Sequence, residues 1–221
     1  MNILFAEILI LHEFILVDMK KDPINVFGDW ALSGRDEPMA AGHADAVQAM
    51  LEVAITDQKK FSFLDVGCGN GWVVRKMVNH PECKYAAGVD GSEHMIAKAQ
   101  SIQEKGNYFC EDIRHWMPEM TFDVIHSMEV FYYVEQPDAL IQNIFDFWLN
   151  PGGKLIMGID FYYENKSSHT WQEDCGVSIM QLFPKDTWIE YFKLAGFKNV
   201  TSRHLGVKED WEGTLVVMGE K

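Results

Sequence analysis

A glycine-rich corner carries the strongest chemical signal in the sequence. Residues 64–72 read LDVGCGNGW, so that Asp65 precedes three glycines in alternate positions at the end of an apolar run. Glycines in such a corner let the backbone turn tightly and approach a ligand closely. A dinucleotide-binding loop would need glycine at position 72, which is Trp72 here, and no Lys-Ser/Thr pair follows to form a triphosphate loop. The corner therefore favours an uncharged or cationic part of a ligand.

Two acidic residues follow the corner at informative positions. Asp90, in GVDGSEHM, ends the next apolar run. It lies about 20 residues beyond the glycines, where a carboxylate can accept both hydroxyls of a ribose. Asp112, in CEDIR, is placed to hold an exocyclic amino group, and the apolar side chains of Met95 and Ile113 are candidates to sandwich a purine ring. Together these residues predict a site for a ligand that contains adenosine.

The elements that must position these residues are βα units. From residue 61 onward, short apolar runs alternate with helical stretches, which is typical of a mainly parallel sheet. Strands are predicted over residues 61–66, 84–89, 107–110, 122–128 and 153–159, and helices over 44–53, 71–78, 93–103, 137–149 and 186–194. Two final runs, 197–207 and 214–219, predict an antiparallel hairpin at the sheet edge. Residues 27–43 mix Gly, Pro, Trp and charges, and are interpreted as a lid segment rather than a packed element.

Four stretches, LDVGCGNGW, GVDGSEHM, EDI and FDVIHSMEV, resemble in their order the motifs of class I (Rossmann-like) S-adenosylmethionine-dependent methyltransferases. The resemblance runs from about residue 44 to the C-terminus and implies an α/β fold. In that fold a doubly wound, seven-stranded, mainly parallel sheet has helices on both faces and an antiparallel C-terminal edge hairpin. The expected division is an N-terminal extension and lid segment over residues 1–42 and an S-adenosylmethionine-binding methyltransferase domain over 43–221.

The resemblance also implies how each part of S-adenosylmethionine is held, with S-adenosylhomocysteine as the product. The glycine corner would border the methionine part, Asp90 would bind the ribose, and Asp112 with Ile113 would address adenine. Asp65 would either contact the methionine amino group indirectly or orient the loop. The predicted cofactor-binding residues are Asp65, Gly67, Cys68, Gly69, Gly71, Trp72, Asp90, Gly91, Met95, Asp112, Ile113, Ser127 and Arg35, the last as a partner of the methionyl carboxylate or as an exposed surface residue.

The methyl acceptor is expected above the strand ends, where the protein aligns the reactants and, where necessary, removes a proton. Glu129 follows the fourth strand and is the first candidate base; the alternative is that its carboxylate holds the cofactor's ammonium or a backbone amide. Tyr133 and His169 complete the predicted catalytic set, and His43 and His126 are weaker candidates. Aromatic residues after the fourth and fifth strands suit a flat or cationic acceptor, or else belong to the core.

Composition limits the partners. With 19 Lys and Arg against 33 Asp and Glu, the formal charge is −14, which argues against nucleic acid and anionic membranes as partners. The Asn/Asp-Pro-Pro-Tyr/Phe sequence of nucleic-acid amine methyltransferases is also missing after the fourth strand, where Ser127-Met-Glu-Val stands. We therefore expect a small-molecule acceptor methylated on nitrogen or oxygen. The alternative is a catalytically silent cofactor-binding subunit that docks a partner protein.

The remaining expectations concern the setting of the protein. The 4 cysteines have no C-x-x-C spacing, which fits a reducing, cytoplasmic compartment, and no metal site is predicted. The apolar stretch 1–17 contains Glu7, His12 and Glu13, and is shorter than the roughly 20 residues of a membrane helix. It is expected to be an accessory element or an upstream extension. A monomer or homodimer is expected.

Overall fold

The computed structural model describes residues 20–103 and 105–221. Its centre is a 7-stranded sheet with the order β3-β2-β1-β4-β5-β7-β6. The strands are β1 (Phe61–Val66), β2 (Cys83–Asp90), β3 (Asn107–Cys110), β4 (Phe122–Met128), β5 (Leu149–Ile159), β6 (Lys198–Leu205) and β7 (Thr214–Glu220). β7 runs antiparallel to both β5 and β6, whereas the other neighbouring pairs are parallel. The predicted class I methyltransferase fold, with its C-terminal antiparallel hairpin, is confirmed.

Helices cover both faces of this sheet. The α-helices are α1 (Pro23–Ser33), α2 (Asp36–Ala54), α3 (Trp72–Val78), α4 (Glu93–Ile102), α5 (Pro137–Asn143), α6 (Trp171–Cys175) and α7 (Lys185–Ala195). Short 3-10 turns lie at Phe131–Tyr133 and Lys166–Ser168. Because every residue of β1 is buried, side chains on both faces of that strand are apolar or paired. Phe63 packs on the α2 and α3 side, and Leu64 packs in the larger core on the opposite side with Trp188.

The interpretation of residues 27–43 as an irregular lid segment is wrong at the level of local structure. α1 and α2 occupy most of this stretch, and the boundary expected at residue 43 falls inside α2. The proline in this stretch, Pro38, lies in the first turn of α2, where a helix tolerates it. Gly34 ends α1 in a left-handed conformation, φ 75°, which turns the chain into α2.

The predicted helix over 137–149 is shorter than expected. α5 ends at Asn143, a single π turn spans Ile144–Trp148, and β5 begins at Leu149. The Asn-Pro-Gly-Gly sequence at 150–153, predicted as a turn before the strand, lies inside β5 as an irregularity in its pairing with β4. Gly152 has a φ of 79°, so the chain still turns there.

Within the described residues, the helices are too short or too polar to cross a membrane. The apolar stretch 1–17, interpreted as an accessory element or an extension, lies outside the described residues.

Candidate functional site

A cavity opens at the carboxyl ends of the central strands, where ligands bind in folds of this architecture. Its floor and sides come from the glycine corner after β1, the ends of β2 and β4, and the loop after β3. α1 and α2 supply the remaining wall through Ile24, Phe27, Met39 and His43. The N-terminal helices therefore lie over the site, although they are regular elements and not an irregular loop.

The backbone amides of the glycine corner are used inside the protein. Gly67 and Cys68 both donate their N–H groups to the carbonyl oxygen of Val89, and Gly71 donates to Cys68. The N–H of Gly69 is bound by a carboxylate oxygen of Asp90. A phosphate-binding loop needs such N–H groups free for its ligand. This corner, with a carboxylate already seated on it, does not offer them to a pyrophosphate.

Asp90 lies at the end of β2, where the sequence predicts a residue that binds a ribose. Its two carboxylate oxygens accept the N–H groups of Gly69 and Ser92, each at 2.9 Å, and the residue lines the cavity. Burial raises the pKa of Asp90, and the two amide hydrogen bonds oppose that shift. Each carboxylate oxygen keeps a second lone pair. The side chain can therefore accept hydroxyl groups from a ligand while it holds the corner.

Asp112 is held by an arginine that the sequence interpretation did not include. Arg114 contacts the Asp112 carboxylate through Nε at 2.8 Å and through Nη2 at 2.6 Å. Its Nη1 reaches Asp22, the N-cap residue of α1, at 3.0 Å. Although burial opposes it, this pairing leaves the pKa of Asp112 below its usual value. All three side chains line the cavity, so the loop after β3 is joined to α1 by an ion pair.

Asp65 and His126 form a buried pair beneath the cavity. Nδ1 of His126 lies 2.7 Å from Oδ1 of Asp65, and neither side chain is more than 5% exposed. Nε2 of His126 is buried and has no hydrogen-bond partner within the described residues. Because β1 and β4 are neighbours, the pair joins the ends of two adjacent strands. Of the two roles left open for Asp65, this contact favours orienting the loop.

Glu129 connects the ends of β4 and β5. Its Oε2 accepts the hydroxyl of Tyr132 at 2.6 Å, and its Oε1 accepts the backbone N–H of Asp160. Burial and the neighbouring Asp160 carboxylate raise the pKa of Glu129 well above its ordinary value. Glu129 has a φ of 61°, a left-handed conformation that a residue with a side chain adopts only when its surroundings enforce it. Both oxygens serve as acceptors, which matches the alternative role of holding a backbone amide.

Aromatic side chains lie near the end of β4 on one side of the cavity. Tyr133 lines it and packs edge-on against Phe27 of α1, with ring centroids 5.0 Å apart. Phe27 in turn contacts Trp30 at 5.1 Å. Tyr132 is buried in the core and turned toward Glu129. Tyr132 therefore belongs to the core, whereas Tyr133 faces the cavity.

Four predicted site residues do not line the cavity. Arg35 is exposed and lies over the ring of Trp30, with its guanidinium carbon 4.2 Å from the ring centroid. His169 binds the carbonyl oxygen of Tyr163 in the loop after β5. Ser127 donates to Val66 and joins β4 to β1, and Gly71 is surrounded by packed side chains because a Cβ there would meet Tyr108 and Ala99. The other predicted residues line it: Asp65, Gly67, Cys68, Gly69, Trp72, Asp90, Gly91, Met95, Asp112, Ile113, Glu129 and Tyr133.

Sequence reasoning missed a second link between the N-terminal helices and the site. Asp36, the first residue of α2, accepts Asn70 of the glycine corner at 2.8 Å and Lys98 of α4 at 2.8 Å. Although burial opposes it, these contacts leave the pKa of Asp36 below its usual value. Asp36 and Asn70 both line the cavity. The sequence did contain a signal for the first of these helices, namely Asp22-Pro23. Asp before Pro indicates a helix start, which predicts α1 with Asp22 at its N-terminus.

Three side chains at one side of the cavity are of the types that can bind a metal ion. Side-chain atoms of His43, Glu129 and Asp160 lie within 4.8 Å of one another. Nε2 of His43 is 3.6 Å from Oδ2 of Asp160, and the other oxygen of Asp160 is buried with no partner in the described part of the chain. Burial lowers the pKa of His43 and raises the pKa of Asp160.

Comparison with known proteins gives the family. Residues 35–202 match the family model described as a methyltransferase domain. The chain is 29% identical over 125 residues to malonyl-[acyl-carrier protein] O-methyltransferase 2 of Ilyobacter polytropus, a match that spans 53% of this chain and 48% of the relative. It is 36% identical over 98 residues to the ubiquinone biosynthesis O-methyltransferase of Coxiella burnetii, spanning 42% and 41%. The matches thus span about half the length of these curated relatives or less.

Solved structures agree with the fold. A methyltransferase in complex with the Trm112 methyltransferase activator of Haloferax volcanii has a TM-score of 0.77 and 25% identity, covering 88% of this chain and 96% of that one. The N-methyltransferase NodS of Bradyrhizobium japonicum, bound to S-adenosylhomocysteine, has a TM-score of 0.60 and 21% identity, covering 80% and 86%. With its domain match, its motifs and its sheet order, the chain belongs to the class I S-adenosylmethionine-dependent methyltransferase family.

Proposed function

We propose that this protein transfers a methyl group from S-adenosylmethionine to nitrogen or oxygen of a small-molecule acceptor. The observation that carries the proposal is the glycine corner, whose amides are already bound by Val89, Cys68 and Asp90. Such a corner suits a cationic ligand and opposes a phosphate. When bound, S-adenosylmethionine supplies an electrophilic methyl group on a sulfonium, which carries the positive charge that this surface favours.

The residues of the cavity fit the three parts of that cofactor. Asp90 would accept the ribose hydroxyls, and Met95 with Ile113 would border the adenine ring. Asp112 would address the exocyclic amino group with whichever lone pairs Arg114 leaves open. The methionine part would lie along Gly67 and Gly69, above the Asp65–His126 pair.

The acceptor would enter beside Tyr133 and Glu129, where β4 ends. The net charge of −14 continues to argue against nucleic acid as the acceptor. The names of similar proteins include both O-methyltransferases and an N-methyltransferase, so both acceptor atoms stay in the proposal. Glu129 fixes the loop around the acceptor, and Tyr133 offers a ring face to an apolar or cationic group.

Calorimetric titration with S-adenosylmethionine, S-adenosylhomocysteine and NAD tests the cofactor class. We expect saturable binding of the first two and none of NAD. Binding of NAD alone would contradict the proposal. The acceptor is then sought by incubating the protein and labelled S-adenosylmethionine with fractionated small-metabolite pools, using Asp90→Ala as the inactive control. Labelled products that form only with the wild type support methyl transfer.

A second candidate function is a subunit that acts together with a partner protein. It is supported by the similar structure that contains the Trm112 activator. A second support is the exposed apolar side chains in the segments that precede and follow the edge strand β3 in the sequence, namely Ile102 at 52%, Met117 at 52% and Met120 at 40% exposure. The same metabolite screen separates the two candidates. Turnover by the purified chain alone favours an independent enzyme, whereas cofactor binding without turnover favours the subunit.

A further inference from the structure

We propose that His43 is the catalytic base that takes the proton from the methyl acceptor, with Asp160 as the residue that positions it. The inference rests on the proposed methyl transfer and names the proton acceptor of that same site. His43 lies on α2 and lines the cavity. Its Nε2 lies 3.6 Å from Oδ2 of Asp160, which follows the last residue of β5. The histidine and its partner thus come from elements on two sides of the acceptor end.

Glu129, the first candidate base from sequence, is less suited to this role. Its two carboxylate oxygens already accept Tyr132 and the backbone N–H of Asp160, so the side chain spans β4 and β5. Both oxygens are engaged by groups of the protein itself, so a proton from the acceptor would have to displace one of these hydrogen bonds. The Nδ1 atom of His43, by contrast, makes no hydrogen bond in the part of the chain that the structure describes.

The carboxylate of Asp160, 3.6 Å from Nε2 of His43, favours one tautomer of the imidazole. An acidic oxygen facing Nε2 favours the form in which Nε2 carries the hydrogen, which leaves Nδ1 unprotonated. Asp160 is itself 4% exposed and is fixed through its carbonyl oxygen, which accepts the side-chain amide of Asn165 at 2.7 Å. A base that is neutral before the reaction is required, and burial favours that form because it lowers the pKa of His43.

The charge balance of the reaction favours this arrangement. A bond forms between the acceptor nitrogen or oxygen and the methyl carbon, while the bond from that carbon to sulfur breaks and its electron pair stays on sulfur. The proton released by the acceptor passes to His43. The positive charge therefore leaves the sulfonium and appears on the imidazole, beside the carboxyl groups of Asp160 and Glu129. Preplaced acidic groups stabilise the charge where it develops.

Other titratable groups on the cavity wall are already paired. Asp36 binds Lys98 and Asn70, and Asp65 binds His126. Tyr133 is a poor proton acceptor because burial raises the pKa of its hydroxyl well above the ordinary value. Asp160 and Glu129 are therefore the groups expected to control the titration of His43.

The first test needs no acceptor. Histidine ring resonances of the full chain bound to S-adenosylhomocysteine are followed by NMR against pH, with His43→Gln to assign the signal and exposed His94 as the internal reference. We expect His43 to titrate below the ordinary value of 6.5 and to shift further down in Asp160→Asn. Identical titration of His43 in both proteins would overturn the pairing with Asp160.

The second test uses the acceptor found in the metabolite screen. His43→Gln and His43→Asn should each lose at least 100-fold in kcat while the Kd for S-adenosylhomocysteine changes less than threefold, which shows that the variants fold. Asp160→Asn should lose about tenfold and move the acidic limb of the pH–rate profile. His94→Gln is the matched control. Full turnover by both His43 variants would overturn the inference, whereas a wild type that binds neither form of the cofactor would overturn the proposed function itself.

A metal centre is the competing explanation of the same cluster. Titration of the full chain with Zn²⁺ and with Mn²⁺ addresses it, because a cation held by His43, Glu129 and Asp160 would bind saturably and lose affinity in Asp160→Asn. Saturable binding of that kind would overturn the role of His43 as a free base. We expect no binding at this cluster.

Discussion

A carboxylate oxygen of Asp90 lies 2.9 Å from the backbone nitrogen of Gly69 and accepts its hydrogen, so the residue proposed to bind the ribose also holds the glycine corner. Loss of this side chain would affect the cofactor site in two ways. Hydrogen bonds to charged groups contribute about 1.5–3 kcal/mol each, and one such loss is about a tenfold to hundredfold change in affinity.

We expect Asp90→Ala to weaken S-adenosylmethionine binding by about 100-fold or more, because the ribose hydroxyls lose their acceptor. Calorimetric titration measures this directly. Asp186→Ala is the control, since that exposed carboxylate lies on α7 and does not line the cavity. Unchanged affinity in Asp90→Ala would remove the ribose role.

The contact between Arg114 and Asp22 predicts that α1 contributes to cofactor affinity. Asp22 accepts the N–H of Ile24 as the helix cap and also pairs with Arg114. Asp22→Asn keeps a cap but loses the charge, and should weaken cofactor binding severalfold with little change in stability. Asp22→Ala loses both, and should in addition lower the free energy of unfolding by about 1 kcal/mol.

Titration calorimetry and urea unfolding of the two Asp22 variants separate these effects. The weakening in Asp22→Asn should also shrink as salt is added, since screening already reduces a partly exposed ion pair. Equal affinity in the wild type and Asp22→Ala at low salt would show that α1 does not help to hold the ligand.

The central strands β1 and β4 could be predicted from sequence because most or all of their residues are buried. β1, β3 and β4 have the predicted bounds, and the glycine corner stands at the predicted strand end. Each strand is short, apolar and bounded by turn residues, so local pattern and tertiary burial favour the same structure. The π turn before Leu149 was not predictable in this way, because a helical pattern continues through it.

The partners of the acids could not be predicted because they are distant in sequence. Asp22 and Arg114 are separated by 92 residues, and Asp36 and Lys98 by 62. The cluster of His43 with Asp160 likewise depends on how α2 crosses the end of β5. The position of Arg35 was also not predictable from its residue type. Its charge suggested a carboxylate partner, but its guanidinium lies over the ring of Trp30.

The raised pKa of Glu129 predicts that the free energy of unfolding depends on pH. Its folded-state value lies above the ordinary value of 4.5, so the protonated form is favoured by folding. The associated stability is fully present below pH 4.5 and is lost as pH rises toward the folded-state pKa. The Glu129→Gln variant has no titrating carboxyl group at this position. The stability of the wild type relative to Glu129→Gln should therefore decrease as pH rises, by at most about 1.4 kcal/mol per pH unit.

Urea unfolding of both proteins between pH 4.5 and 8 measures this difference. Glu190→Gln, an exposed change on α7, is the control variant. A constant difference between the wild type and Glu129→Gln across the range would contradict a raised pKa for Glu129.

Gly67→Ala should be the most destabilising single-methyl change in the corner. Gly67 has a φ of 71°, and a Cβ there would lie 2.2 Å from Cγ2 of Val130. Gly152 has a similar φ of 79° but nothing within 4 Å of its Cβ position, so Gly152→Ala isolates the backbone cost of about 1–2 kcal/mol. Gly67→Ala adds steric overlap, for which about 1–3 kcal/mol more is expected.

The double variant Gly67→Ala with Val130→Ala identifies the source of that extra cost. Removing the two methyl groups of Val130 should recover most of the steric part and leave the backbone part, so the two changes are non-additive in urea unfolding. Additive losses would show that the close approach of the two loops is not what requires glycine. Because Val130 follows Glu129, that approach also fixes the segment proposed to face the acceptor. Gly67→Ala should therefore lose cofactor affinity, whereas Gly152→Ala should keep it.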